Sequence, residues 1–72
     1  MGIKLIKMKT YTLRNKNNDC WVILFIVDSK NDKVKVQFVN VDDSRKNYAY
    51  TDTLENARIR WVDAIKDEYI IE

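Results

Sequence analysis

Residues 20–27 read Cys-Trp-Val-Ile-Leu-Phe-Ile-Val, eight apolar residues in a row, in a chain of only 72 residues. Successive side chains of a β-strand point to opposite faces of the sheet, so a strand with this sequence presents apolar groups on both faces. The run is far shorter than the roughly 20 residues that span a bilayer. A chain of this length has room for one sheet and one helix, and one helix covers only one face.

Three segments show the apolar patterning of strands, and turn-forming residues separate them. The predicted strands are residues 7–14, 20–27 and 33–41, and a shorter fourth strand is residues 48–51. The connections are rich in Asn and Asp, which tolerate the left-handed backbone of tight turns. Because these connections are short, we expect an antiparallel meander.

A helix is predicted from Asp52 onward. Asp52 and Glu55 have the spacing of a capping box, and both carboxylates suit the positive end of a helix dipole. An apolar stripe then recurs at intervals of three or four, through Leu54, Ala57, Trp61, Ile65 and Tyr69, with Val62 beside them. Such a stripe indicates the helix face that packs on a sheet. The predicted fold is one α+β domain over residues 1–72, a three- or four-stranded antiparallel meander with one C-terminal helix packed on one face.

The strand register can be predicted by pairing large side chains with one another. Val27 is expected opposite Val34, and Leu13 opposite Trp21. This register puts the large side chains on an inner face beneath the helix: Tyr11, Leu13, Trp21, Ile23, Phe25, Val27, Val34, Val36 and Phe38.

The opposite, outer face of the sheet is the predicted binding surface. Its expected partner-binding residues are Val22, Leu24, Ile26, Thr10, Thr12 and Val39. Leaving three aliphatic side chains in water forgoes roughly 1.5–3 kcal/mol for each, relative to burying it. A protein partner or a second copy of the chain, as a homodimer, would recover this free energy. The alternative cover is a lid formed by the amino-terminal segment or by Ile70 and Ile71.

The chain contains no histidine and only one cysteine. Nucleophile pairs with histidine, histidine general bases and zinc sites with histidine are thereby excluded within the chain. Cys20 lies in the apolar run, where a small buried side chain is expected. We therefore expect a non-enzymatic protein with no catalytic residue, cofactor, metal or small-molecule substrate. A carboxylate pair formed across a dimer is the one catalytic arrangement left open.

Charge is unevenly distributed, although the net charge is only +2. Residues 1–36 contain eight Lys and Arg against three Asp, whereas residues 37–72 contain five against eight Asp and Glu. A basic surface suits phosphate or an acidic partner, and an ordinary solvated surface is the other explanation. The alternative function is therefore nucleic-acid binding by the sheet, and the residues expected to carry it are Arg14, Lys33, Lys35 and Gln37.

The second half of the chain resembles HicB-type antitoxins. The matching residues are Asp52-Thr53-Leu54-Glu55, Ala57, Asp63-Ala64-Ile65 and, in the preceding strand, Val36-Gln37-Phe38. The resemblance implies a partial RNase H-like domain with a last strand that Ile70 and Ile71 would open. It also implies a non-catalytic protein that dimerises or masks a toxin. The Pro- and Gly-rich segment of that family is replaced here by Asn-Val-Asp-Asp-Ser at residues 40–44.

The predicted architecture is also similar to the arm-type DNA-binding domains of tyrosine recombinases. In those domains a three-stranded sheet followed by a helix lays its exposed face in the major groove. This resemblance implies the nucleic-acid alternative, with Thr10 and Thr12 added to the basic residues of the outer face.

The amino-terminal residues alternate apolar and basic side chains and lack the apolar core of a signal peptide. We therefore expect a cytoplasmic protein without a membrane segment. Richness in Lys, Asn and Ile, together with small size, is typical of accessory proteins of phages or mobile elements with AT-rich genomes. The leading hypothesis is a small protein-interaction module, such as an antitoxin-like inhibitor, which binds its partner through the outer face or an edge of the sheet.

Overall fold

The computed structural model describes residues 8–72. Within them lie β1 Met8–Asn15, β2 Trp21–Asp28, β3 Lys33–Asn40, β4 Tyr48–Thr53, α1 Leu54–Asp67 and β5 Tyr69–Ile71. The strands form one antiparallel sheet in the order β4-β3-β2-β1-β5. The predicted α+β class with one C-terminal helix is confirmed, but the sheet has five strands in this part of the chain, not three or four. Lys7, where the first strand was predicted to begin, lies outside the described residues.

The C-terminal residues extend the sheet in its own plane. In β5, Ile70 lies opposite Arg14 of β1. Beyond the strand, the Glu72 N–H donates to the Thr12 carbonyl at 3.0 Å. A lid formed by Ile70 and Ile71 over the outer face is therefore wrong, because these residues are paired along the edge of β1. The alternative lid, residues 1–7, lies outside the described part of the chain.

The register of the sheet agrees with the prediction on one side of β2 and differs on the other. Val27 lies opposite Val34, so the predicted pairing of β2 with β3 is confirmed. In β1, Leu13 lies opposite Ile23 and not opposite Trp21. This difference is two residues, and side chains alternate with a period of two. The predicted faces of β1 and β2 are therefore preserved.

Two buried asparagines at the same end of the sheet explain the position of the turns. Asn15 is the last residue of β1 and Asn40 is the last residue of β3. Both side chains are buried, and both form hydrogen bonds with the turn that follows the strand. Each side-chain oxygen accepts the backbone N–H groups two and three residues later, at 2.8–3.0 Å. The chain therefore leaves β1 only after Asn15, so the connection to β2 is residues 16–20 and not the predicted residues 15–19. This displacement along the chain pairs Leu13 with Ile23.

The core lies between α1 and the inner face of the sheet. Its buried residues are Leu13, Ile23, Phe25, Val34 and Val36 from the sheet and Ala57 and Ala64 from the helix. Trp61 packs edge-on against Phe25, with ring centroids 5.1 Å apart. Of the residues predicted for the inner face, Tyr11 is 46% exposed, and Trp21 lies outside this cluster.

The predicted helix stripe is partly wrong. Ile65 is 38% exposed and Val62 is 47% exposed, whereas Ala64, which the stripe omitted, is buried. Tyr69 packs against the core from β5, not from the helix. Alanines facing the sheet allow the helix backbone to approach it closely, and this orientation turns the larger Ile65 and Val62 toward the side of the helix.

The helix begins one residue later than the predicted capping box. Thr53 is the N-cap, and its hydroxyl oxygen accepts the Asn56 N–H at 3.2 Å. The Asp52 carboxylate accepts the Asn56 side-chain amide at 3.0 Å and the Thr53 N–H at 2.8 Å. These two hydrogen bonds, chiefly the one from the Asn56 side chain, lower the pKa of Asp52. Asp52 therefore supports the cap from the end of β4.

Candidate functional site

The outer face of the sheet is set apart from the core by strand alternation. The buried hydrophobic residues of β2 and β3 are Ile23, Phe25, Val34 and Val36, which pack in the core with α1. Their sequence neighbours must point the other way. Because α1 packs on the inner face, no α-helix among the described residues covers the outer one.

The register arranges nine predicted residues in a grid of three rows across β1, β2 and β3. The rows are Arg14–Val22–Val39, Thr12–Leu24–Gln37 and Thr10–Ile26–Lys35. Lys33, the tenth predicted residue, lies in the next row opposite Asp28. The structure therefore brings all the predicted outer-face residues together on one surface, which we call the outer grid. An aliphatic stripe, Val22, Leu24 and Ile26, runs through its centre.

The aliphatic stripe is half-buried. Val39 is also half-buried, whereas Thr10, Lys33 and Lys35 are exposed. A residue in a central strand has a cross-strand neighbour about 4.5–5.5 Å away on either side, and these neighbours shield it. The grid therefore has a partly sheltered aliphatic centre and a more polar margin.

Acidic groups lie close to two of the three basic residues predicted for phosphate binding. The Arg14 guanidinium lies 3.4 Å from an Asp19 carboxylate oxygen and 3.5 Å from one of Glu72. Lys33 is paired in register with Asp28. Lys35 is the third and has Ile26 as its register partner in β2. No salt bridge to Lys33 or to Lys35 is present within residues 8–72. The positive charge of this face is therefore smaller than the lysine and arginine count suggested.

A second surface, which the sequence reasoning missed, lies on the inner side of the sheet. Since α1 connects β4 at one edge to β5 at the other, it crosses the whole sheet and leaves part of the inner face uncovered. There an open groove of about 390 Å³ is lined by Tyr11, Phe25, Val27, Val34, Leu54, Ala57, Arg58 and Trp61. The available signal was the pair of alanines on the helix, because a face with small side chains does not cover a sheet of large ones.

The lone thiol is not activated. Cys20 is half-buried, and its Sγ donates a hydrogen bond to the Asp42 carboxylate. This hydrogen bond is the main cause of a raised thiol pKa. The side chain therefore joins the end of the first turn to the segment after β3. In the part of the chain that the structure describes, no three metal-binding side chains come together, and no helix is long and apolar enough to cross a membrane.

No protein-family model matches this chain, and neither does any curated protein or any solved structure. The resemblances to HicB-type antitoxins and to arm-type DNA-binding domains therefore stay predictions.

Proposed function

We propose that this protein is a non-enzymatic module that binds another protein through the outer grid and acts by masking the surface it covers. The observation that supports this proposal is the single aliphatic stripe, Val22, Leu24 and Ile26, in the middle of a face without a covering α-helix in residues 8–72. Burying such a stripe under a partner supplies favourable free energy at about 25 cal/mol for each Å² of apolar area removed from water.

The distribution of side chains across the grid also suits a protein partner. Specific protein interfaces have an apolar centre and a polar rim, with charged groups kept out of the centre. Here the aliphatic stripe is flanked by Thr10 and Thr12 on one strand and by Gln37 on the other. The charged groups Arg14 and Lys35 lie at opposite corners of the grid.

Nucleic-acid binding is the weaker alternative. Binding to phosphate draws its affinity from uncompensated Lys and Arg, which displace counterions. Arg14 and Lys33 have acidic neighbours, as described above, and the aliphatic stripe occupies the position where base or phosphate contacts would be made.

The test is to compare partner capture by the wild-type protein with capture by Leu24→Asp. A carboxylate in the middle of the stripe would be buried without a partner, so we expect at least a tenfold loss of binding, about 1.4 kcal/mol. Ile59→Asp is the matched control, because Ile59 is 57% exposed on α1, on the other side of the sheet. Circular dichroism checks that both variants fold, and Leu24→Thr supplies a milder change with good strand propensity.

A partner retained by wild type and by Ile59→Asp, but lost with the Leu24 variants, supports the proposal. Equal capture by all variants would refute it. Retention on duplex DNA that weakens steeply with salt, and that is lost in Lys35→Glu, would support the alternative instead.

A further inference from the structure

We infer that β4 is a self-association strand, at which a second copy of this chain pairs in antiparallel fashion about a two-fold axis centred on Tyr50. The inference rests on the edge of the sheet and not on the outer grid, so it stands independently of the proposed function. The free N–H and C=O groups along this edge match those of a second copy of the same strand.

Within residues 8–72, no strand or helix covers the outer edge of β4. This strand forms one end of the sheet and is six residues long, Tyr-Ala-Tyr-Thr-Asp-Thr, whereas β5 at the other end has three residues. Natural sheets guard exposed edges with Lys, Pro, bulges or very short strands. The one charged residue of β4 is Asp52, and its carboxylate is engaged at the helix cap by the Thr53 N–H and the Asn56 amide. No Lys, Arg or Pro occurs in β4, and its six residues pair with β3 without interruption. Its composition of Tyr and Thr also favours strand pairing.

The hydrogen bonds at the end of β3 show which way its backbone groups point. The Val41 N–H donates to the Cys20 carbonyl at 2.8 Å, toward β2, and the Asn40 N–H donates to Asn47 Oδ1 at 2.6 Å, toward β4. Successive residues of a strand direct their backbone groups to alternate sides. The even-numbered residues of β3 therefore face β4. Their partners in register are Tyr48, Tyr50 and Asp52.

The odd-numbered residues of β4 consequently direct their backbone groups away from the sheet. Of these, Thr53 is already occupied: its N–H donates to the Asp52 carboxylate at 2.8 Å, and as N-cap its carbonyl belongs to the helix. Ala49 and Thr51 remain, and each offers one N–H and one C=O. Both residues are exposed, and no hydrogen bond to these four groups is present within the described residues.

One symmetric register satisfies all of these groups. With Tyr50 on the two-fold axis, Ala49 lies opposite Thr51 of the second copy, and Thr51 lies opposite Ala49. In an antiparallel pair of this type, the two residues exchange two hydrogen bonds. The N–H and C=O groups of Ala49 and Thr51 in each copy are then all hydrogen-bonded. Moving the axis to Thr51 would place Ala49 against Thr53, whose N–H is already taken. The pattern of free groups therefore selects the Tyr50 register.

The side chains of the inner face agree with this register. Tyr50 would meet Tyr50 of the second copy, and Tyr48 would lie opposite Asp52, so that its hydroxyl can donate to that carboxylate. Tyr48 is 54% exposed, yet its ring stacks on Phe38 with centroids 4.6 Å apart and planes 9° apart. A ring that is already held in place loses less entropy when it binds.

The resulting dimer would have one continuous sheet of ten strands, five from each copy. A two-fold axis perpendicular to the sheet keeps both helices on one side. The two outer grids then lie together on the other side, and the dimer presents two aliphatic stripes in one surface.

Sedimentation equilibrium and a disulfide trap test the inference. We expect the wild-type protein to have twice the 8.6 kDa mass of one chain. Thr51→Pro removes an outward N–H that the fold itself does not use, and we expect a folded monomer. Ala49→Lys places a long, positively charged side chain on the pairing edge of each copy, and we also expect it to be monomeric. It serves as the test variant if Thr51→Pro does not fold. Gln37→Lys is the matched control, because Gln37 lies beside Ala49 in β3, inside the sheet, and we expect it to stay dimeric.

The disulfide trap reports the register itself. In a Cys20→Ser background, Tyr50→Cys places two thiols across a non-hydrogen-bonded pair, where Cα atoms are about 4.5 Å apart and a disulfide fits. We expect oxidation to give a covalent dimer with Tyr50→Cys and none with Thr53→Cys. A wild-type monomer at high concentration, or a dimer that both edge variants leave intact, would overturn the inference. A covalent dimer formed only by Thr53→Cys would overturn the register.

Discussion

At the scale of single residues, Asn15 and Asn40 do more for the fold than their polar character suggests. Both are buried, and each side-chain oxygen accepts two backbone N–H groups of the following turn. A hydrogen bond of this kind contributes about 0.5–1.5 kcal/mol to stability. These two residues therefore determine where β1 and β3 end.

Replacing Asn15 with Ala is expected to lower the free energy of unfolding by about 1–3 kcal/mol, because two turn N–H groups lose their acceptor and each such hydrogen bond contributes about 0.5–1.5 kcal/mol. Urea denaturation measures the change. Asn17→Ala is the control, since Asn17 is exposed in the same turn and only its backbone N–H takes part in the contact. A loss below about 0.5 kcal/mol in Asn15→Ala, within the range of ordinary surface substitutions, would contradict this role.

Two carboxylates make the stability of the fold depend on acid pH. The Arg45 side chain, followed by its backbone N–H, lowers the pKa of Asp43, and the Asn56 side chain, followed by the Thr53 N–H, lowers the pKa of Asp52. A folded-state pKa below the unfolded value means that the unfolded chain binds more protons as the solution is acidified. The stabilisation is therefore complete above the unfolded pKa and is lost as pH falls through the folded one.

We expect the urea midpoint to fall between about pH 5 and pH 2, and to fall less steeply in Asp52→Asn, which keeps an acceptor but does not titrate. The exposed Asp32→Asn serves as the control. If Asp52→Asn follows the wild-type curve across this range, the carboxylate has no part in the acid sensitivity.

At the scale of elements, the helix shows where sequence patterning reaches its limit. The sequence predicted Asp52 as the helix cap, whereas Thr53, the next residue, is the cap and Asp52 supports it. The spacing of a capping box does not by itself decide between two adjacent residues that can both accept an N–H. Apolar periodicity favoured Ile65 over Ala64, yet Ala64 is the buried residue. Periodicity gives the direction of an apolar face, while the distance between helix and sheet depends on side-chain volume.

Enlarging Ala64 to Leu is expected to destabilise the protein by about 1–3 kcal/mol, since the helix would have to move away from the sheet. Thermal or urea unfolding measures this change. Val62→Leu adds a methylene at a position that is 47% exposed, and we expect a change below about 0.5 kcal/mol. Equal effects in the two variants would mean that Ala64 does not set the helix position.

The sheet was more predictable than the helix, for a geometric reason. Side-chain alternation assigns each strand residue to a face whatever the register, so the composition of the outer grid follows from the alternating patterns of β1, β2 and β3. Two registers that differ by two residues put the same side chains on the same face of the sheet. Apolar patterning therefore does not distinguish them, and the predicted partner of Leu13 was wrong. The Asn15 turn decides between them.

At the scale of the whole molecule, long-range contacts were beyond the sequence reasoning. Arg14 and Glu72 form a salt bridge although they lie near opposite ends of the described chain. The local composition around either residue does not predict this contact. The same holds for the groove beside α1, which depends on how the helix crosses the sheet. Charge counts by segment thus overestimated the basic character of the outer face.

At the same scale, the sheet formed by residues 8–72 has two unlike edges. One ends in the short β5, and the other in the longer β4 with two exposed residues whose backbone groups face outward. Two unlike edges favour a closed dimer, in which the same strand of each copy pairs with itself in an isologous interface. They disfavour an open filament, in which β4 of one copy would pair with β5 of the next.

The position of β5 has a consequence for how the fold assembles. Strands β1 to β4 are joined to their neighbours by short connections, so their pairings close small loops. The pairing of Ile70 with Arg14 instead joins the two ends of the described chain and must wait for the helix to cross the sheet. Contacts of high sequence separation are slow to form, because a long loop has to close first. The meander of β1 to β4 is therefore expected to form before β5 pairs with β1. The backbone groups of β1 that face β5 are expected to form their hydrogen bonds last.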